Sequence, residues 1–140
     1  MKIYQSFATS LTTLLGTDKA VRLTVEGFMP LSIEEIGADS EGRRLIAAMH
    51  TGQQNGDLMR DPELVFAIQD WKGSPVAEPI SFRNDYLGII HEVYRYDDTG
   101  KRTHVVPELK RDLKDFARAW FRNLHEQGFF GPQAKKERLK

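Results

Sequence analysis

Apolar residues Ile3, Phe7, Leu11, Leu14 and Leu15 recur at helical spacing and stop at Gly16, which predicts a short N-terminal helix. Residues 20–26 are ambiguous, because Val21, Leu23 and Val25 alternate like a strand but run straight into Gly27. Beyond this the period shortens to two. Met29, Leu31 and Ile33 alternate, as do Leu45, Ala47 and Met49, and then Leu64, Phe66 and Ile68. The runs 76–83 and 89–96 bring the number of candidate strands to five. Turn chemistry separates them at 37–42, 70–75 and 84–88. Short connections with no helix between them predict an antiparallel meander.

A second helical stripe closes the chain. Pro107 suits a first turn, Leu109, Leu113, Phe116, Ala117, Trp120 and Leu124 share one side, and Gly128 is placed as a stop. That stripe needs an apolar surface to cover, and one face of the sheet is the only large one on offer. The expected fold is therefore α+β, an about five-stranded, mostly antiparallel sheet packed by an N-terminal and a C-terminal helix. A single domain is expected over residues 1–130, followed by a basic, disordered tail over 131–140, where apolar residues almost vanish.

Composition changes this picture in three ways. The chain has 20 basic and 20 acidic residues, yet they are unevenly spread: residues 1–106 carry 11 Lys/Arg against 15 Asp/Glu, and residues 107–140 carry 9 against 5. The C-terminal quarter is thus the basic part. There is no cysteine, which excludes a disulfide framework, a thiolate metal site and a cysteine nucleophile. No apolar run approaches the roughly 18 residues that a membrane span needs, so a cytoplasmic protein without membrane contact is expected.

The densest local chemistry lies in Asn55-Gly56-Asp57-Leu58-Met59-Arg60-Asp61-Pro62-Glu63 and in Ser81-Phe82-Arg83-Asn84-Asp85-Tyr86-Leu87-Gly88. Together with Phe28-Met29-Pro30-Leu31-Ser32-Ile33-Glu34-Glu35-Ile36-Gly37 and the closing Glu126-Gln127-Gly128-Phe129, these strings resemble a small domain family of unknown function found on plasmids, phages and integrative elements of bacteria. The resemblance covers residues 28–129. It implies a mobile-element accessory protein and assigns no catalytic residue.

Candidate sites divide into three groups. Asp57, Asp61 and Glu63, with His50 and with Asp85 and His91 on a neighbouring strand, have the oxygen-rich character of a hard-cation site, as in a metal-dependent phosphoesterase. Local structure accounts for the same residues: Asn55-Gly56 as a turn, Asp57 as the cap of a single helical turn, and Pro62 as the launch of the next strand. Neither a His-x-x-x-His pair, a Gly-rich phosphate cradle nor a Gly-x-Ser-x-Gly elbow occurs, and no cofactor is expected. A second group, Lys110, Lys114 and Arg118 with Arg111 and Arg122, lies off the apolar stripe of the last helix and suits phosphate contacts, though Asp112, Asp115 and Glu126 dilute it. The third group is aromatic: Trp71 in a predicted turn, and Tyr86, Tyr94 and Tyr96 around the last hairpin. Such a set has the composition of a binding hot spot or of a small cluster under a loop. The reading these features favour is a non-enzymatic module with a protein partner, one version being an inhibitor of a nucleic-acid-targeting defence system. The alternatives are a nucleic-acid-binding accessory factor and a metal-dependent enzyme.

Overall fold

The computed structural model describes residues 2–140. Helix α1 (Lys2–Leu15) is followed by strands β1 (Ala20–Thr24), β2 (Leu31–Ala38), β3 (Arg44–Gln54), β4 (Asp57–Trp71), β5 (Ser74–Asn84), β6 (Ile89–Glu92), β7 (Tyr94–Tyr96) and β8 (Arg102–Val105). Helix α2 (Pro107–Gln127) and strand β9 (Lys135–Arg138) complete the chain. The fold is α+β. Seven strands form one sheet in the order β6-β5-β4-β3-β2-β1-β9, with every neighbour antiparallel, and β7 and β8 make a separate hairpin.

The helices form where the apolar period predicts them. Phe7, Ala8, Leu11, Leu14 and Leu15 are the buried stripe of α1, and Leu113, Ala117, Trp120, Phe121 and Leu124 that of α2. α2 ends on Gly128, whose φ of 95° is the left-handed conformation that a helix stop requires. The two stripes meet Phe66 from the centre of the sheet: the Phe7 ring lies 5.5 Å from that of Phe121 and 6.0 Å from that of Phe66. Four residues of the expected α2 stripe, Leu113, Ala117, Trp120 and Leu124, are buried, and only its edge differs. Phe121, not Phe116, reaches the core, while Phe116 is 37% exposed and packs edge-on against Phe82 at the rim.

Strand number differs from expectation at both ends. The ambiguous run 20–26 contains β1, and the expected strand 89–96 is two strands. Val93, fully buried, breaks the run, and its N–H bonds the Ile80 carbonyl at 2.9 Å as the chain leaves the sheet for the β7–β8 hairpin. Nor is the tail the disordered segment expected. Lys135–Arg138 pairs with β1 from Val21↔Arg138 to Thr24↔Lys135, and the Leu139 N–H reaches the Ala20 carbonyl at 2.8 Å. All four β9 side chains are exposed. An outermost strand needs only its backbone ladder and its charged neighbours, here Lys140 on Glu34 at 2.5 Å, and a charged edge resists further pairing.

No helix among the described residues is long and apolar enough to cross a membrane.

Candidate functional site

The motif strings 55–63 and 81–88 meet in space. Glu63 pairs with Arg83 in the β4–β5 ladder, which sets Arg60-Asp61 beside Asn84-Asp85. Asp85 accepts the Arg60 N–H on Oδ2 at 2.8 Å and the Arg83 Nε–H on Oδ1 at 2.7 Å, and its own N–H returns to the Arg60 carbonyl at 2.8 Å. The Arg60 N–H and then the Arg83 guanidinium hold the Asp85 carboxyl below the usual carboxylate range. Asn84 donates to Asp61 at 2.7 Å and accepts the Leu87 N–H at 3.1 Å. This is a closure of strand ends.

Two local expectations are corrected here. Asn55 and Gly56, at φ 53° and 85°, form a two-residue hairpin turn, and Asp57 begins β4 in solvent without a helical turn to cap. Pro62 does not launch a strand. It sits inside β4 where the register with β3 shifts between Met49 and Thr51, a bulge that tolerates a residue without an N–H.

The groups weighed as metal ligands are likewise dispersed. His50 is buried below Trp120 and Phe129, its Nδ1 3.1 Å from the Met29 carbonyl and 3.3 Å from that of Pro30. Burial lowers its pKa, so the ring is neutral at pH 7 with Nδ1–H donating. His91 is exposed on the edge strand β6. Among the described residues no three His, Asp or Glu side chains converge as a metal site.

The aromatic and basic candidates separate into two kinds. Trp71 stands at the β4–β5 turn with the Lys72 ammonium 5.6 Å from its ring centre. Tyr86 lies over β3: a Cβ on Gly52 would fall 2.5 Å from the Tyr86 hydroxyl, so the absent side chain is what admits the ring. On α2, Lys114 is half-buried and Arg118 faces Asp115 at 4.0 Å. Tyr94, Tyr96 and Lys110, in contrast, come together where β5 extends beyond β6, which pairs only with residues 81–84.

At this place the β7–β8 hairpin folds back and encloses a cleft of about 370 Å³, lined by Leu45, Ile80, Ser81, Glu92, Tyr94 and Tyr96. A second cleft of about 250 Å³ adjoins it across Tyr94. Its charged residues other than Lys110 were missed in the sequence. Arg43, 7% exposed, donates from Nε to Asp39 at 2.8 Å and from Nη1 to Glu78 at 3.2 Å. The Tyr94 hydroxyl donates to Glu78, and Lys110 reaches the same carboxylate at 3.3 Å. Arg102 lies over the Tyr94 ring, its guanidinium carbon 3.9 Å from the ring centre, and donates to Glu41 at 2.7 Å. Burial, and then the bond to Glu78, pushes the Tyr94 pKa well up. Burial alone would raise Asp39 also, but the Arg43 N–H and guanidinium outweigh it and hold that carboxyl low.

Two matching turns carry these residues. In Asp39-Ser40-Glu41-Gly42-Arg43 the Asp39 carboxylate accepts the N–H groups of Glu41 and Arg43 at 3.0 and 2.8 Å. In Asp97-Asp98-Thr99-Gly100-Lys101 the Asp97 carboxylate accepts those of Thr99 and Lys101, both at 2.9 Å. Each is an Asx turn in which glycine takes positive φ, at 80° and 83°. The turns also touch, since a Cβ on Gly100 would meet Ser40 at 3.4 Å.

The family's sequence pattern matches residues 2–130, most of the chain that builds this site. The chain belongs to the family described as Domain of unknown function (DUF6908). No curated protein and no solved structure matches it. Membership therefore brings no activity with it, and the chemistry must be read from the clefts. They offer aromatic and aliphatic walls, guanidinium donors, and carboxylates already engaged by cations.

Proposed function

We propose that the protein is a non-enzymatic binding module whose partner is another protein, docked on the β7–β8 hairpin and the cleft beneath it. One observation carries this reading. The charged groups around Tyr94 neutralise one another: Arg43 with Asp39 and Glu78, Arg102 with Glu41, and Lys110 with Glu78. What remains for a partner is the aromatic and aliphatic wall of Tyr96, Leu45 and Ile80, rimmed by charge, which is the anatomy of an interface hot spot.

The setting we propose follows the resemblance: the cytoplasm of a bacterium carrying a mobile element, with a host or element-encoded protein as target. A component of a nucleic-acid-targeting defence system is the specific candidate. Nucleic acid is the less favoured partner, because Lys110 turns to Glu78, Arg118 faces Asp115, and Glu108, Asp112 and Glu126 are interspersed with the remaining cations of α2.

Nuclease-treated affinity capture from host cells, followed by titration calorimetry with the purified partner, tests the proposal. Tyr96→Asp should abolish both signals with an unchanged melting curve, since Tyr96 is an exposed side chain. Equal binding by Tyr96→Asp would remove the hairpin face from the account. Tight DNA or RNA binding at physiological salt, lost in Lys114→Glu/Arg118→Glu, would move the function to nucleic acid.

A further inference from the structure

Two guanidinium donors at the second cleft have nothing to donate to. Nη2 of Arg43 and Nε of Arg102 are buried and without a hydrogen-bond partner, although both side chains line the same space of about 250 Å³. A buried donor left open is costly, and a protein interior normally supplies an acceptor. The acid shared by both guanidiniums is Glu41. Its carboxylate lies 2.7 Å from Arg102 Nη2 and 3.6 Å from Arg43 Nε, so it touches both guanidiniums, yet its side chain is 42% exposed. Asp39 and Glu78, 9% and 13% exposed, are by contrast fixed parts of the wall.

We infer that Glu41 is a tethered stand-in, and that the cleft between Arg43 and Arg102 receives a carboxylate from an acidic segment of a protein partner, with Glu41 swinging out to admit it. The charge count favours a monoanion. With Glu41 in place, Arg43, Arg102 and Lys110 balance Asp39, Glu41 and Glu78. With Glu41 out, one positive charge remains. A carboxylate restores neutrality, whereas a phosphate dianion would overshoot it beside Glu78 and Asp39. Geometry agrees, because the Arg102 guanidinium is held over the Tyr94 ring, and a guanidinium fork suits two carboxylate oxygens. The inference rests on the protein-binding reading above and names the chemistry of the partner.

The test uses the whole chain and two probes, a capped tri-glutamate peptide and inorganic phosphate. Nε–H resonances of Arg43 and Arg102 are followed by NMR, with affinity from calorimetry. The peptide should shift the Arg102 signal saturably, and Arg102→Gln should not bind it. Glu41→Gln should bind roughly five- to tenfold tighter than the native chain, because a tethered competitor has been removed and more of the protein is binding-competent. Asp98→Asn, which takes the same unit of charge off the neighbouring turn, should leave affinity unchanged. Arg102→Gln is the informative variant because Arg102 is partly exposed, whereas buried Arg43 is needed for folding; melting curves check both. The inference is overturned by a Glu41→Gln that binds no tighter, by equal tightening in Asp98→Asn, by phosphate displacing the peptide, or by no saturable response. A partner that depends on Tyr96 but binds Arg102→Gln normally would overturn it too, while leaving the protein-binding reading in place.

Discussion

Replacing Tyr94 by Phe removes one hydroxyl and keeps the ring on which Arg102 lies. The lost bond is to an ionised carboxylate, a class that contributes about 1.5–3 kcal/mol. Glu78 is not left stranded, for Arg43 at 3.2 Å and Lys110 at 3.3 Å still face it. The expected cost therefore lies at the low end, about 1.5 kcal/mol, or roughly 3–7 °C in Tm for a chain of this size. Glu78→Gln should cost more, about 3 kcal/mol, since it weakens the bonds to Tyr94, Arg43 and Lys110 together and leaves Arg43 buried with less compensation. Urea denaturation at pH 7 measures both. The ionisation of Tyr94 adds a second readout. Its folded pKa is raised, so the stabilisation is complete below the unfolded value near 10 and is lost as pH rises above that. Tyrosinate absorbance around pH 10–11 should thus be nearly the same in Tyr94→Phe as in the native chain. If Tyr94→Phe matches the native protein in urea, or if Glu78→Gln costs no more than Tyr94→Phe, the cluster does not hold the hairpin and the reasoning fails.

Phe121→Ala should cost about 3–5 kcal/mol by calorimetric or urea unfolding, and Phe116→Ala only about 1–2, because the first ring is buried against Phe7 and Phe66 while the second stands at the rim. His50, whose folded pKa is depressed by burial, contributes stability above its unfolded value near 6.5 that is lost as pH falls toward the folded one; His50→Gln should flatten the slope of stability against pH between about 5 and 6.5. Gly52→Ala should cost about 1 kcal/mol, mainly through the Tyr86 hydroxyl, and less in a Tyr86→Phe background, where the next ring atom is 3.6 Å away and only Met29 Sδ, at 3.3 Å, must give, a coupling that a double-mutant cycle in urea reads directly.

Both helices and β2, β4 and β5 were legible because each buries one face, so a period of 3.6 or 2 is imposed on its sequence; β3 was legible as a strand but in the wrong phase, since its core side carries Ile46, Ala48 and His50 and not the alternating Leu45, Ala47 and Met49. Where that constraint is relaxed, the reading failed. β9 buries no side chain, and a run of Lys, Lys, Glu and Arg bears no mark of the ladder its backbone makes. The break between β6 and β7 falls at Val93, a residue that suits either strand, with no Gly or Pro to announce it. Arg43 escaped for another reason. Apolar patterning treats a charged residue as surface, yet this one is 7% exposed because Asp39 and Glu78 meet it there, and Glu78 is 35 positions away in the chain. Tyr94 and Tyr96 were visible as aromatic candidates, but the acids and guanidiniums that give Tyr94 its surroundings were not.

One local signal did lie in the chain. The spacing Asp-x-x-Gly-basic occurs at Asp39–Arg43 and again at Asp97–Lys101, and each is an Asx turn that could be read from its own residues. Their pairing in space is what sequence does not show. The first turn carries Glu41 and Arg43, Arg102 follows the second, and the Glu41 carboxylate joins the two guanidiniums. Each turn is tied to its own backbone by an Asp carboxylate, Asp39 in the first and Asp97 in the second. Of the three acids at Arg43, Glu41 is the most exposed, at 42% against 9% for Asp39 and 13% for Glu78. It is therefore the acid that an incoming carboxylate displaces at least cost, and the effect of Glu41→Gln on carboxylate affinity is where the fold and the proposed function meet.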